Sequence, residues 1–371
     1  MEFSVKRSDI LKELELADSV VEKKQTIPVL SNVLVEAEGA AVRLSATDLD
    51  LAVRSSCPAK IKKEGASTVP GRRLLEIIRS LPEAEIKIKL LENHWIQVTC
   101  ERSSFKMVGM AKDNFPSLPE ASKKIAAFPA QALATLIART GFAISNEESR
   151  YTLNGALMLL KPEKVMMVAT DGHRLAHIER EVQVEGLSNE LRVLVPKKAM
   201  EKLPRLLSQA AEDANVEFTK DENHLFFSLG ERMLISRILT GQFPNYEAVL
   251  PRGNERMVVL EKGLIADAIR RASLLADERS RAIRIQVDKG KLEIFSSSGD
   301  LGEAHEVVDA EYDGEAMEIG FNYQYLLDFL NVVGEVSKVR LELKDEQSAG
   351  QLRPLDDGVY QYRYVVMPMR V

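Results

Sequence analysis

The sequence predicts an α+β chain made of three tandem repeats, each with two helices packed on antiparallel sheets. Three observations carry this reading. First, a strand-turn-helix stretch, Val69-Pro-Gly-Arg-Arg-Leu-Leu-Glu-Ile-Ile-Arg-Ser-Leu-Pro82, returns as Val195-Pro-Lys-Lys-Ala-Met-Glu-Lys-Leu-Pro-Arg-Leu-Leu207. It returns again, more loosely, as Ile319-Gly-Phe-Asn-Tyr-Gln-Tyr-Leu-Leu-Asp-Phe-Leu330, so the starts lie 126 and then 124 residues apart. That is the size of a domain. Second, an apolar-periodic helix and a hairpin signal precede each copy. Third, 371 residues with 45% hydrophobic content supply two or three cores of ordinary size.

Each repeat is expected to open with a helix. In the first, Ser8 is placed to cap a helix running to about Val21, with Ile10, Leu11, Leu14, Leu16 and Val20 inward. Pro129 to about Ala143 and Lys262 to about Ala276 are its counterparts. Strand pairs follow at 32–36 and 41–46, at 154–160 and 164–169, and at 282–287 and 291–296, with turn residues such as Glu38-Gly39 and Asp288-Lys289-Gly290 between strands. A polar corner comes next: Thr47-Asp48, Thr170-Asp171-Gly172 and Ser298-Gly299-Asp300. A further strand, the second helix and a closing antiparallel set complete each repeat. Links near 121–127 and 251–257 give expected domains at 1–124, 125–252 and 253–371.

Net charge is −6, yet the six helical stretches together carry +4, so the remainder carries −10. Arg72 and Arg73 recur in position as Lys197 and Lys198. Basic helices without a recognition motif contact phosphates and do not read bases. No apolar run reaches the roughly 18–20 residues that span a bilayer. The first 24 residues are charged throughout, and Cys57 and Cys100 suit a reducing compartment. A cytoplasmic protein without a membrane partner is expected.

Signatures of catalysis are sparse. His173 and His177 stand four apart, but in a segment that reads as turn and strand, not as a zinc-binding helix. No Ser lies in a nucleophile elbow, and no phosphate-cradling glycine loop occurs. The expectation is no catalytic residue, no metal and no cofactor. A competing reading is a phosphoester-hydrolysing α+β enzyme using Asp171 and His173; another is a monomeric protein-binding scaffold.

Four stretches carry a family resemblance: Ala169-Thr-Asp-Gly-His-Arg-Leu-Ala176, Tyr151-Thr-Leu-Asn-Gly155, Met317-Glu-Ile-Gly-Phe-Asn322 and Val365-Val-Met-Pro-Met-Arg370. In combination, and over the whole chain, the sequence resembles the bacterial β sliding clamps, the processivity subunits of replicative DNA polymerases. The resemblance implies three clamp-fold domains and a head-to-tail dimeric ring around double-stranded DNA, bound without regard to sequence. It implies a homodimer that tethers DNA polymerase subunits and other replication and repair proteins through short peptides, placed on DNA by a clamp loader.

Carried onto this sequence, the DNA-facing residues are Lys24, Arg72, Arg73, Arg150, Tyr151, Lys197 and Lys198. The dimer interface takes Phe105 and Met107 on one side and Leu274 and Leu275 on the other, with Arg73 and Asp300 as polar partners. The client-peptide pocket takes Leu153, Thr170, Gly172, His173, Arg174, Leu175, Pro244, Val249, Asn322, Tyr325, Val365, Val366, Met367, Pro368, Met369 and Arg370. Ala248, Ser280, Gln347 and Ala349 depart from the family pattern and bear on which peptide is preferred.

Geometry leads to the same ring independently. Helices about 10 Å wide lining a hole give, for the six of one chain, an opening of roughly 9 Å. Duplex DNA, roughly 20 Å across, does not pass. Twelve helices leave about 28 Å. A closed dimer is the smallest solution.

Overall fold

The computed structural model describes residues 1–21, 26–147 and 149–370. The first repeat runs β1 (Glu2–Lys6), α1 (Arg7–Asp18), β2 (Asn32–Glu38), β3 (Ala41–Thr47), β4 (Leu51–Pro58), β5 (Lys60–Lys63), β6 (Gly65–Pro70), α2 (Gly71–Ser80), β7 (Glu85–Leu90), β8 (Trp95–Cys100) and β9 (Ser103–Val108). The second runs β10 (Ala126–Pro129), α3 (Ala130–Thr140), β11 (Gly155–Lys161), β12 (Lys164–Thr170), β13 (Arg174–Glu181), β14 (Leu191–Pro196), α4 (Lys197–Leu207), β15 (Asn215–Lys220), β16 (His224–Leu229) and β17 (Arg232–Arg237). The third runs β18 (Arg256–Glu261), α5 (Lys262–Ser273), β19 (Ala282–Asp288), β20 (Lys291–Ser298), β21 (Gly302–Asp309), β22 (Met317–Asn322), α6 (Tyr323–Val332), β23 (Lys338–Leu343), β24 (Gly350–Pro354) and β25 (Tyr360–Val366).

Two expectations need correction. Each repeat opens on a strand, not a helix: β1, β10 and β18 feed directly into α1, α3 and α5. These strands are only 4–6 residues long, and their apolar residues run on into the helical pattern. Nor does Ser8 cap α1. The helix starts at Arg7 behind Lys6, and the Ser8 amide donates to Glu83 Oε1 at 3.0 Å, so a carboxylate from the loop after α2 serves the helix end instead.

The chain forms two compact units, Met1–Ala134 with Glu185–Leu187 and Lys198–Ile238, and Thr135–Val184 with Ser188–Lys197 and Leu239–Val371. The division falls inside the middle repeat. In the first unit the sheets are β5-β1-β7-β8-β9 and the eight-stranded β10-β15-β16-β17-β4-β3-β2-β6. In the second they are the eight-stranded β14-β11-β12-β13-β25-β24-β23-β18 and β21-β20-β19-β22. Both eight-stranded sheets run through a junction between repeats. In the first unit, β4 of repeat one pairs antiparallel with β17 of repeat two, Leu51 to Arg54 lying against Ser236 to Met233. In the second, β13 of repeat two pairs with β25 of repeat three over Arg174–Arg180. The strand leaving a polar corner is thus joined to the closing strand of the next repeat. The two remaining strands of these kinds, β9 and β21, are sheet edges.

The helices bury one stripe each. Leu74, Leu75 and Ile78 of α2 are buried while Arg72, Arg73 and Arg79 stay exposed. Ala199, Met200, Leu203, Leu206 and Leu207 do the same for α4. One charged pair lies deep in the first unit: Glu13 on α1 is 3% exposed, and Arg232 on β17 grips it, with Nε 2.9 Å from Oε2 and Nη2 2.5 Å from Oε1. Close by, burial pushes the Cys57 thiol up to about 12, which leaves it un-ionised at neutral pH.

Candidate functional site

In the second unit, three sequence-selected pocket residues meet on one face of the eight-stranded sheet: Leu175 and Val365 are buried in a cluster there, and Leu153 packs against it. Leu157, Leu159, Met166, Val168, Leu175, Leu194 and Val365 form a buried cluster that Phe243 and Tyr246 join. Leu153, Leu239, Leu250 and Ala349 pack around it half-buried. Period-two alternation explains the choice of residues, since Leu175 is paired directly with Val365 and the two share a face. Pro244, Val249 and Met367 stand exposed at the margin, with Val249 at 45% and Met367 at 44%. The cluster itself is buried, so exposed apolar side chains such as Val249 and Met367 are what an apolar peptide meets.

One wall is the turn between β12 and β13. Asp171 accepts from the amides of His173 (2.9 Å) and Arg174 (3.0 Å), a side-chain turn that fixes the corner. Gly172 has φ +90°, a backbone conformation that favours glycine, and a Cβ there would lie 2.7 Å from Arg150 Nη1 and push that side-chain end aside. Thr170 Oγ1 donates to the Arg174 carbonyl at 2.6 Å and accepts from the Gly172 amide.

Arg174 is the keystone. Its Nε donates to Asp171 Oδ2 at 3.0 Å, its Nη1 meets Asp328 on α6, and its Nη2 donates to the Phe142 carbonyl at 2.7 Å. The guanidinium carbon lies 4.4 Å from the Tyr325 ring centroid and 5.3 Å from that of Phe142. Only 10% of its side chain is exposed. Burial opposes the charge, but Tyr364, Asp328 and Asp171 outweigh it and hold the guanidinium protonated.

The C-terminal segment is stitched across the cleft. The Met367 amide donates to the His173 carbonyl at 2.9 Å, and the Met369 amide to the Gly320 carbonyl at 2.8 Å. Asn322 caps α6 by accepting from the Gln324 amide at 2.9 Å. Met367-Pro-Met369 therefore forms a docked strip beside the edge strand β22, with Met369 bridged antiparallel to Gly320 and both methionines partly open to solvent.

His177 follows on the floor. It is 6% exposed, its Nδ1 has no partner, and its ring centroid lies 5.7 Å from that of Tyr246. Burial pushes its pKa down to about 4. The unfolded chain takes up this proton near pH 6.5, whereas the folded chain resists it until about pH 4, so stability falls as pH drops through that window. His177→Gln is expected to remove about 2 kcal/mol of the stability difference between pH 7 and pH 5, as read from urea melts at the two pH values.

Sequence reasoning missed Phe142, Phe243, Tyr246, Asp328 and Tyr364 as parts of this site, and weighed His177 only as a metal ligand. Phe243 and Tyr246 lie in the motif Gln242-Phe-Pro-Asn-Tyr246 that closes repeat two. An aromatic pair flanking a proline was the available signal.

The basic residues divide between the units. In the first, Arg72 and Arg73 extend from α2 beside Glu76, and Lys198 Nζ lies 2.7 Å from Asp48 Oδ2. In the second, Lys197 meets the Asn146 side chain, and Tyr151 is 52% exposed. Arg150 Nη1 donates to the Asp171 carbonyl at 2.6 Å and its Nε lies 2.9 Å from Glu147, so it braces the corner of the cleft. Lys24 lies outside the described residues. Of the residues chosen for an interface between chains, Phe105 and Met107 lie on edge strand β9, half-buried. Leu274 and Leu275 follow the end of α5; Leu274 is 74% exposed, and Asp300 is exposed at the turn before β21.

The hydrolase reading finds no support at Asp171, whose oxygens are engaged by the turn and by Arg174. Among the described residues, no three His, Cys, Asp or Glu side chains converge to hold a metal ion. Among them, too, no helix is long and apolar enough to cross a membrane.

Comparison with known proteins bears on the whole chain. Models of the DNA polymerase III beta subunit match in succession: the N-terminal domain at residues 1–119, the central domain at 127–245 and the C-terminal domain at 247–370. The beta sliding clamp of Pseudomonas aeruginosa is 37% identical, with all of both chains covered. A crystal structure of the P. aeruginosa DNA polymerase sliding clamp with ligand superimposes with a TM-score of 0.92 at 37% identity, again over all of both chains. A second P. aeruginosa structure, a sliding clamp bound to griselimycin, gives 0.93 at 37% identity with the same coverage. The three-domain architecture of helices on antiparallel sheets is that of the sliding clamps. The chain belongs to the DNA polymerase III beta subunit family.

Proposed function

We propose that two copies of this chain close head to tail into a ring around duplex DNA, and that the cleft of the second unit holds peptides of client proteins. The chain is a DNA sliding clamp by family. It confers processivity by tethering polymerase subunits and other replication and repair proteins, and a clamp loader places it on DNA. Its work needs no catalysis and is done in the cytoplasm. Each of the segments 1–124, 125–252 and 253–371 acts as one domain.

The observation that carries the ring is a joint made twice and left open once. A post-corner strand meets the next closing strand at β4–β17 and at β13–β25. Repetition leaves β21 and β9 as the unmatched halves of a third joint. A second chain supplies the missing half at each end, which is a head-to-tail contact that closes after two copies. Phe105 and Met107 on β9 then meet Leu274, Leu275 and the Asp300 turn beside β21, with Arg73 as a further polar partner. An edge strand left bare is a liability that such pairing removes.

The contacts with DNA are those of a sleeve. Arg72, Arg73, Arg150, Tyr151, Lys197 and Lys198 face phosphates through weak, salt-sensitive contacts that permit sliding. The test is retention on DNA. The protein placed by its loader on nicked circular duplex is expected to stay through gel filtration at about 0.15 M salt and to leave when the circle is linearised. Lys197→Glu with Lys198→Glu is expected to reduce retention severalfold with the fold intact. Equal retention on linear and circular DNA, or a monomer by light scattering, overturns the ring.

A further inference from the structure

A groove of about 720 Å³ lies on the open face of the four-stranded sheet in the second unit, beside the C-terminal strip. Its origin is in the cross-strand register. Gly320, Arg284, Phe295 and His305 are paired in turn across β22, β19, β20 and β21, and so share one row on one face. The last three side chains stack. The Phe295 and His305 rings lie 4.4 Å apart at 5°, and the Arg284 guanidinium carbon sits 4.8 Å from the Phe295 centroid. Gly320 contributes no side chain, and its strand is bridged by Met369. The neighbouring row begins at Asn322 paired with Ala282, another small residue. Ala282, Ala304 and three serines line a trough together with Met369 and Arg370 and with Arg284, Phe295 and His305.

We infer that this trough is a second docking surface, which takes an acidic segment flanking the client peptide held in the cleft. The inference rests on the cleft reading, because Met369 and Arg370, which line the trough, are also assigned to that cleft. Charge points to the occupant. Arg284 is 44% side-chain exposed and only loosely paired with Glu318, at 3.6 Å. Arg370 is exposed in the same lining. The His305 side chain is 49% exposed and shares Glu293 with Lys291. Glu303 is the acidic residue of the lining and lies at the far end, on β21. A carboxylate entering between Arg284 and Arg370 meets two guanidinium groups, and an aromatic or apolar neighbour finds the Phe295 stack.

The experiment uses the full chain and three fluorescein-labelled synthetic peptides. One is a core hexapeptide carrying Gln and two Leu; the others add Asp-Glu-Asp at the amino or at the carboxyl end. One extended peptide is expected to bind about fivefold more tightly than the core, the size of one or two exposed charge pairs. The gain is expected to vanish in Arg284→Ala with His305→Ala and in about 0.5 M salt, while core affinity changes less than about twofold. Core binding without a gain from either extension overturns this inference alone, as does a gain that survives the double substitution. A core peptide that does not bind overturns the cleft assignment and this inference with it.

Discussion

Arg174→Ala is expected to weaken binding of the core peptide by about 100-fold, close to 3 kcal/mol, and to lower stability by a similar amount. The substitution leaves the Asp171 and Asp328 carboxylates, whose side chains are 16% and 21% exposed, without their common cation. It also strips the donor from the Phe142 carbonyl and the cation from the Tyr325 face. The turn that Asp171 shapes then loses its anchor, and the C-terminal strip hangs from that turn through the His173 carbonyl. Lysine does not rescue, because one ammonium cannot span Asp171, Asp328 and a carbonyl together. Fluorescence anisotropy and urea melts on the same preparations separate affinity from stability. An Arg174→Ala chain that binds within about threefold of the parent removes Arg174 from the account of the cleft.

Arg232→Ala is expected to cost about 3–5 kcal/mol, a large share of the roughly 5–15 kcal/mol that typically holds a domain folded. The reason is asymmetry. Glu13 is 3% exposed, and the substitution strands its charge away from water. The paired replacement Glu13→Leu with Arg232→Met removes both charges and is expected to restore most of the loss, which calorimetry reads as recovery of the melting temperature. A single substitution that melts within a few degrees of the parent means that water reaches Glu13.

Legibility in the sequence followed the length of the pattern. The two helices of each repeat and the hairpins were readable because apolar periodicity persists for ten or more residues in α2, α4 and α6. The short opening strands were not readable. Four residues at β10 give two alternations, too few to separate from the helix that follows. The cap was misread because Ser8 fits the local rule, while Glu83, 75 residues away, does the work. The cleft divides in the same way. Residues carried by contiguous motifs, such as Thr170 to Leu175, were found. Phe142, Asp328 and Tyr364 were not, since they matter only through contacts with Arg174 that the chain makes across more than 30 residues in every case. Arg150 was placed toward DNA by the family resemblance, and its bond to the Asp171 carbonyl gives it a bracing task that no spacing rule announces.

The sheet shared between β4 and β17 bears on how the polypeptide emerges from the ribosome. Arg54 finds Met233 across a separation of 233 − 54 = 179 residues. The first unit is therefore incomplete until Ile238 has been translated. At about 5–20 residues per second, the N-terminal third waits on the order of ten seconds with one flank of β4 unprotected. During that interval a nascent-chain chaperone has its substrate, and a stalled ribosome has a sticky one.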